Sequence, residues 1–264
     1  MAGIPLPVRQ QRAFGQTSRP DNWWLYPLLV FLGLSAFIVY ATFRVFEATA
    51  YWVPGTNYLS PFFSPELFGT SPHAWFGLPP SWWPGWLPYS PAILILWAPA
   101  GFRFTCYYYR GAYYKAFWAD PPACAVGEPR KAYIGESNWP LRIQNVHRYF
   151  MYVAILFIGM LTWDAIKSFW FADGFGIGVG SLVLTLNAVL LAGYTFGCHS
   201  LRHLVGGRKD CITDSPTCQA MYKGCSALNR RHPLWAWMSL FSVMFADVYV
   251  RLCSMGVWKD IRIV

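Results

Sequence analysis

The 264 residues include 55% hydrophobic and only 12% charged side chains, where an ordinary soluble protein has about a quarter charged. That balance excludes a soluble enzyme, a disordered chain and a disulfide-stapled secreted domain. The 15 Trp, 16 Tyr and 20 Phe exceed what a core uses and suit the two interfaces of a bilayer. The net charge of +9 falls on residues flanking apolar runs, so nucleic acid is excluded as a partner.

The length divides better into spans of roughly 20 apolar residues than into soluble domains. Residues 1–23, with Arg9, Arg12 and Arg19, form a cytoplasmic N-terminal segment, and the first span is 24–46, uncharged before Arg44. This run is too long for a signal peptide, and no small-residue cleavage pattern follows it. Residues 47–90 contain no Lys or Arg and carry WVPGTNYLSPFF and GLPPSWWPGWLPYSP. They read as an irregular outer cap lying against the headgroups, not as a catalytic domain. The second span, 91–114, opens at Pro91, carries Pro99 as a kink signal, and holds Arg103 and Arg110 in a second half expected to project beyond the bilayer. The third, fourth and fifth spans are 146–171, 178–204 and 234–255, with Gly206 and Gly207 stopping the fourth helix. The expected fold is one all-α integral membrane domain, a five-helix bundle without internal repeats.

Lys and Arg accumulate in cytoplasmic loops. Lys115, Arg130, Lys131 and Arg142 lie between spans two and three, and Arg208, Lys209, Lys223, Arg230 and Arg231 between spans four and five. The N-terminus is therefore expected inside and the C-terminus outside. Lys259 and Arg262 on the outer tail run against the pattern. The basic inner face fixes topology and meets anionic lipid, or also docks a soluble partner.

Seven Cys and five His are few enough to place singly. Cys106, His147, Cys198, His199, His203, Cys211, Cys218, Cys225 and His232 fall on the inner side, as does Cys124, whereas His73 and Cys253 fall on the outer side. The inner compartment is reducing, so these thiols are free or bind metal. A lone thiol in a membrane helix is a small apolar filler and a lone imidazole at a helix end is a cap, but here the two types share one depth. His199 and His203, four apart, leave one helix face, where ionisable groups are rare and functional.

Two haems would need an outer histidine pair that the chain lacks. One haem b could be held by His147 with His199 or His203. Thiols beside imidazoles point to a Rieske-type 2Fe–2S cluster, with two Cys on one iron and two His on the other. The candidate ligands are Cys106, Cys198 or Cys211 for the thiolates and two of His147, His199 and His203 for the imidazoles. The spacing in CHSLRH differs from that of soluble Rieske domains, and a structural zinc site uses the same donor types. Asp164 and Asp247 lie in or near spans; pairing or capping is their default role, and proton transfer to reduced quinone is the functional alternative.

The segments TCYYYRGAYYKAFW (105–118), PPACAV (121–126), QNVHRY (144–149), GCHSLRHLVGG (197–207), LNRRH (228–232) and FADVYVR (245–251) together resemble the membrane anchor subunit of actinobacterial-type succinate dehydrogenase or fumarate reductase. The resemblance covers about residues 90–264. It implies a flavoprotein and an iron–sulfur subunit on the cytoplasmic face of the inner membrane, with a small accessory membrane subunit as a further partner. It also implies electron transfer between succinate and a menaquinone or ubiquinone. The basic face then docks those partners, and the inner Cys and His relay electrons. Quinone needs an apolar slot with a few hydrogen-bond donors, for which Arg103, Tyr107, Arg110 and Tyr149 are the candidates; an aromatic belt is the competing reading of the tyrosines. No catalytic residue is expected. A flavin fingerprint and a ferredoxin-type Cys run are both missing, so the partners supply those cofactors. A cofactor-free scaffold and, less favoured, a transporter with paired broken helices are the competing readings.

Overall fold

Leu, Val, Ile, Phe and Ala dominate four helices that are long and apolar enough to cross a bilayer. These are α1 (Leu25–Glu47), α5 (His147–Lys167) with the 3-10 turn Leu141–Val146 before it, α6 (Val179–Phe196) and α9 (His232–Ser254). The computed structural model describes residues 13–130, 141–207 and 212–264. Cys211 and the basic residues Arg9, Arg12, Lys131, Arg208 and Lys209 lie outside them. Burial ranks the helices: 50% of the apolar stretch of α6 and 44% of that of α9 is covered, against 17% for α1 and 22% for α5. The α6–α9 pair is thus the centre, and α5 packs on α6. Gly193 permits this approach, because a Cβ there would stand 2.6 Å from the Trp235 ring.

Two of the expected spans are not continuous helices. Residues 91–114 form α2 (Pro91–Ile95), α3 (Trp97–Phe104) and α4 (Tyr107–Tyr113), and the chain continues into a π-helical turn, Tyr114–Trp118. Pro99 does not kink α3, since it sits in the first turn, where no amide donor is needed. The interruption falls instead at Thr105 and Cys106. The Thr105 hydroxyl donates to the Gly101 carbonyl at 2.7 Å, and the Cys106 amide bonds back only three residues, to Arg103 O at 3.2 Å. The fourth span breaks in the same way at Gly197 and Cys198. The Cys198 amide reaches Thr195 O at 3.2 Å, and Cys198 turns extended (φ −67°, ψ 136°) before α7 (His199–Gly206) begins. α7 then packs against α8 (Pro216–Asn229). α5 stops at Lys167, short of the expected 171, because Trp170–Phe171 (β1) pairs antiparallel with Gly174–Phe175 (β2).

The chain divides into two compact units, residues 1–36 with 107–144, and 37–106 with 145–264. In the first, Gly15 N–H donates to Gly127 O and Gly127 N–H to Gln16 O (3.0 and 2.9 Å), Thr17 reaches Ala125 O at 3.0 Å, and Arg130 pairs with the buried Asp120 at 3.0 Å. The second contains the bundle.

The cap does not simply lie on the headgroups. Residues 58–66 are buried throughout, and Tyr51, Leu59, Phe62 and Phe63 pack with Ala92 of α2 and Val243 of α9 as a core cluster. Only the later half, with Trp75, Phe76, Leu78, Trp82 and Trp86, is exposed as an interface belt would be. Buried serines and carboxylates fasten this plug. Ser64 bonds Asp164 of α5 and Ser60 bonds Asp247 of α9. Asp247, fully buried, also accepts from Tyr40 at 2.6 Å and from the fully buried Arg44 at 2.7 Å. Glu47 links Arg44 to Arg251, the latter at 2.6 Å. Both intramembrane aspartates are therefore paired.

In the C-terminal tail Arg262, expected on the outer side, pairs with Asp173 and stacks on Phe171. Beside it, Asp260 accepts from Tyr58 (2.7 Å), Tyr249 (2.5 Å) and the Gly180 amide in the first turn of α6 (2.9 Å). A carboxylate is stabilised there by the helix dipole as well. Asp260→Ala is expected to cost about 2–3 kcal/mol and to release the tail. Proteolysis of the complex in detergent should then clip residues after Met255 faster than in the wild type.

Candidate functional site

The two helix breaks and two helix starts meet at the end of the second unit opposite the cap. Cys106 occupies one break and Cys198 the other, while His147 and His232 are the first residues of α5 and α9. His147 Nε2 lies 3.1 Å from Cys198 Sγ, and Cys106 Sγ lies 3.6 Å from His232 Nε2. The two pairs are joined through Thr105, which bonds His147 and precedes Cys106, and through Phe102 and Tyr194, which stack on His147 and His232 and contact each other at 5.4 Å. Cys106 and Cys198 are buried to 3% and 2% exposure and His232 to 9%.

Neighbouring side chains fix each ring. The Thr105 hydroxyl, having donated to Gly101 O, accepts from His147 Nδ1 at 2.9 Å. This places the proton on Nδ1 and turns the Nε2 lone pair toward Cys198. Phe102 stacks on His147 with centroids 4.8 Å apart and planes 6° apart, and Tyr194 stacks on His232 at 5.0 Å and 19°. Cys198 is the N-cap residue of α7. Arg103 stands over Tyr194 at 4.7 Å and donates to Ser239 Oγ at 2.9 Å and Ala236 O at 3.3 Å.

Three expected ligands, Cys106, His147 and Cys198, are thus brought together. His199 and His203 are not with them. They are exposed on α7 and face one another, Nε2 to Nε2, at 3.0 Å, because the break at Cys198 separates their face from that of α6. Cys211 lies outside the described residues. The fourth member is His232, which the helical pairing of His199 with His203 obscured. Its signal was available: like His147 in QNVHRY, it opens an apolar span straight after a basic stretch, NRRHPLW. Of the residues expected to bind quinone, Arg110 stacks on Tyr107 at 4.5 Å, Arg103 is held within the bundle, and Tyr149 projects from α5 with 69% exposure. Tyr107 is 71% exposed, as an interface tyrosine would be.

Among the described residues no three His, Cys, Asp or Glu gather as a single metal ion requires. The donors pair off instead, two thiols with two imidazoles. That set fits a binuclear iron–sulfur centre, which spreads four ligands over two metals. The pair expected to hold a haem, His147 with His199 or His203, is not brought together.

Fold and site together define a helical membrane subunit with paired thiols and imidazoles at one end of its bundle. The family model of the actinobacterial succinate dehydrogenase subunit SdhC matches residues 25–256. Comparison with the curated proteins gives no match. Among solved structures, the chain is similar to one in the Mycobacterium smegmatis Sdh1 complex in the apo form, with 42% identity, a TM-score of 0.88 and coverage of 99% of each chain. The chain belongs to the actinobacterial SdhC family. It is the multi-pass membrane anchor of a succinate dehydrogenase complex in the inner membrane and does not itself oxidise succinate.

His199→Ala and His203→Ala, singly or together, should leave the iron content and the spin signals of the purified complex unchanged. Loss of a signal in either variant contradicts the assignment of the ligands to the buried group.

Proposed function

We propose that the chain carries electrons from a soluble iron–sulfur subunit to quinone through a Rieske-type 2Fe–2S centre held by Cys106, Cys198, His147 and His232. The observation that carries this reading is the pairing of two buried thiols with two imidazoles, one buried and one half-buried, from four separate helix ends. When bound, such a centre supplies one-electron transfer at a potential above that of an all-thiolate cluster. The residues do the rest. Thr105 holds the His147 tautomer, and Phe102 and Tyr194 hold the ring planes. The N-terminal ends of α5, α7 and α9 set positive dipole ends beside the sulfurs.

Five crossings are supported by treating residues 91–113 as one interrupted span beside the four continuous ones. Arg130, Lys223, Arg230 and Arg231 then face the cytoplasm with the N-terminus, and the cap and tail face outward. On the cytoplasmic side this basic surface docks the iron–sulfur subunit, which in turn carries the flavoprotein. The helix breaks do not favour a transporter, since each presents a cysteine to a histidine and not to a substrate passage.

Iron, acid-labile sulfide and visible absorption of the purified complex test the proposal. The expected result is two irons and two sulfides beyond those of the soluble subunits, without a reduced haem band. A haem b band, or no additional iron, contradicts it.

A further inference from the structure

The break at Cys198 leaves one pair of imidazoles without a role. His199 and His203 stand exposed on α7, apart from the four donors. Between them in sequence, Arg202 is drawn to α8, where it donates to the Tyr222 hydroxyl at 2.6 Å and stacks on that ring at 4.9 Å. The guanidinium is engaged there, and the two histidines are left open to water.

Residues four apart on a helix share one face, the spacing at which a single helix supplies two histidines to a zinc ion. Here both rings turn the same nitrogen, Nε2, into the gap between them, 3.0 Å apart. Zinc takes imidazole nitrogens at about 2.0–2.1 Å, so two of them at right or tetrahedral angles on one ion are separated by about 2.8–3.4 Å. The observed gap falls inside that range. A hydrogen bond between the rings prefers collinear nitrogens, which at this separation would set the ring centroids about 5.3 Å apart. The centroids stand 4.4 Å apart with the planes at 82°. The ring axes are therefore bent, as those of two imidazoles addressing a shared third atom are.

We infer that His199 and His203 form a surface site for one divalent ion of the zinc class, held by two imidazoles and completed by water. Magnesium and calcium take oxygen ligands. Copper in a reducing compartment is monovalent and prefers sulfur, which leaves zinc as the ion that suits paired imidazoles. The ion bridges one turn of α7, a helix of eight residues with Cys198 as its N-cap. So short a helix has little stability of its own, and the bridge steadies the turn that presents Cys198 to His147. The inference goes beyond the proposed electron relay and takes from it only the cytoplasmic placement of α7.

The test uses the intact complex, purified without a polyhistidine tag, stripped with a chelator and oxidised so that a 2Fe–2S centre is silent in electron-spin resonance. Cu²⁺ is the probe. The wild type should bind one copper more than the variant carrying both His199→Ala and His203→Ala, with two imidazole nitrogens in the difference spectrum, and Zn²⁺ should displace it. Either substitution alone should weaken binding by about tenfold or more, since even a residue that only orients a ligand is worth that much to a metal site. Added Zn²⁺ should slow amide exchange in residues 201–206 of the wild type and not of the double variant. Equal copper in the two proteins, a difference spectrum with a single nitrogen, or exchange unaffected by Zn²⁺ overturns the inference. If the variants do not assemble, oxidation of the wild type by Cu²⁺ and ascorbate decides: oxidised histidine in residues 199–203 supports the site, and oxidation confined to other segments overturns it. A double variant that also loses the spin signal of the membrane centre makes these histidines ligands of that centre and overturns this inference together with the assignment of the ligands. A wild type that lacks that signal yet binds copper at the pair refutes the relay and supports the site.

Discussion

Replacing Cys198 by Ala in the assembled complex should cut succinate-driven quinone reduction by about 100-fold or more, the upper end of what losing even a supporting residue costs a metal centre. Dye-linked succinate oxidation should persist, because its chemistry lies in the partner subunits. His232→Ala should behave alike, although nothing in the spacing of CHSLRH includes it. Thr105→Val retains shape but removes the acceptor that holds His147 Nδ1, and should give an intermediate loss of about 10-fold. A structural thiol or a helix-capping imidazole gives a different pattern, in which stability falls and the ratio of quinone to dye activity stays fixed. Measuring both rates on each variant separates the two.

The second large effect is expected at the other end of the bundle. Asp247→Ala leaves the fully buried Arg44 without its carboxylate at 2.7 Å and also strands Ser60 and Tyr40. Removing one partner of a buried ion pair costs about 3–5 kcal/mol, most of it the penalty of the uncompensated charge. Asp247→Ala should therefore lower the thermal midpoint of the complex and expose the plug to protease. The double variant Arg44→Met with Asp247→Leu should recover part of that loss, since replacing both charges by apolar groups removes the penalty. A double variant less stable than Asp247→Ala contradicts this account of the network. Glu47 still binds Arg44 and Arg251 in the single variant, so the loss should be smaller than for an isolated charge.

The continuous helices were legible in the sequence because their apolar runs exceed the thickness of a bilayer core, and α1, α5 and α9 begin and end within a few residues of the expected limits. The interruptions were not legible. Hydropathy does not register a threonine hydroxyl bonded back to Gly101, nor a cysteine turning extended after Gly197. Those two events decide the site, since they bring Cys106 and Cys198 to face His232 and His147. Helical periodicity puts His199 and His203 on one helix face at the depth of Cys198, and the turn at Cys198 sends that face outward. Residues 58–66 were misplaced for a related reason. Irregular Pro- and Phe-rich sequence reads as surface, but the serine–aspartate bonds satisfy its polar groups and let the segment fill the bundle. Arg262 ran against the charge pattern only until its partner Asp173 was found across the tail.

The most direct test of the central claim is the hyperfine spectrum of the reduced membrane centre in the purified complex, recorded by pulsed electron-spin resonance. Two strongly coupled nitrogens are expected, one lost in His147→Ala, the other in His232→Ala, and both retained in the double variant of His199 and His203. A centre without nitrogen coupling, or couplings that survive in both His147→Ala and His232→Ala, would contradict the account.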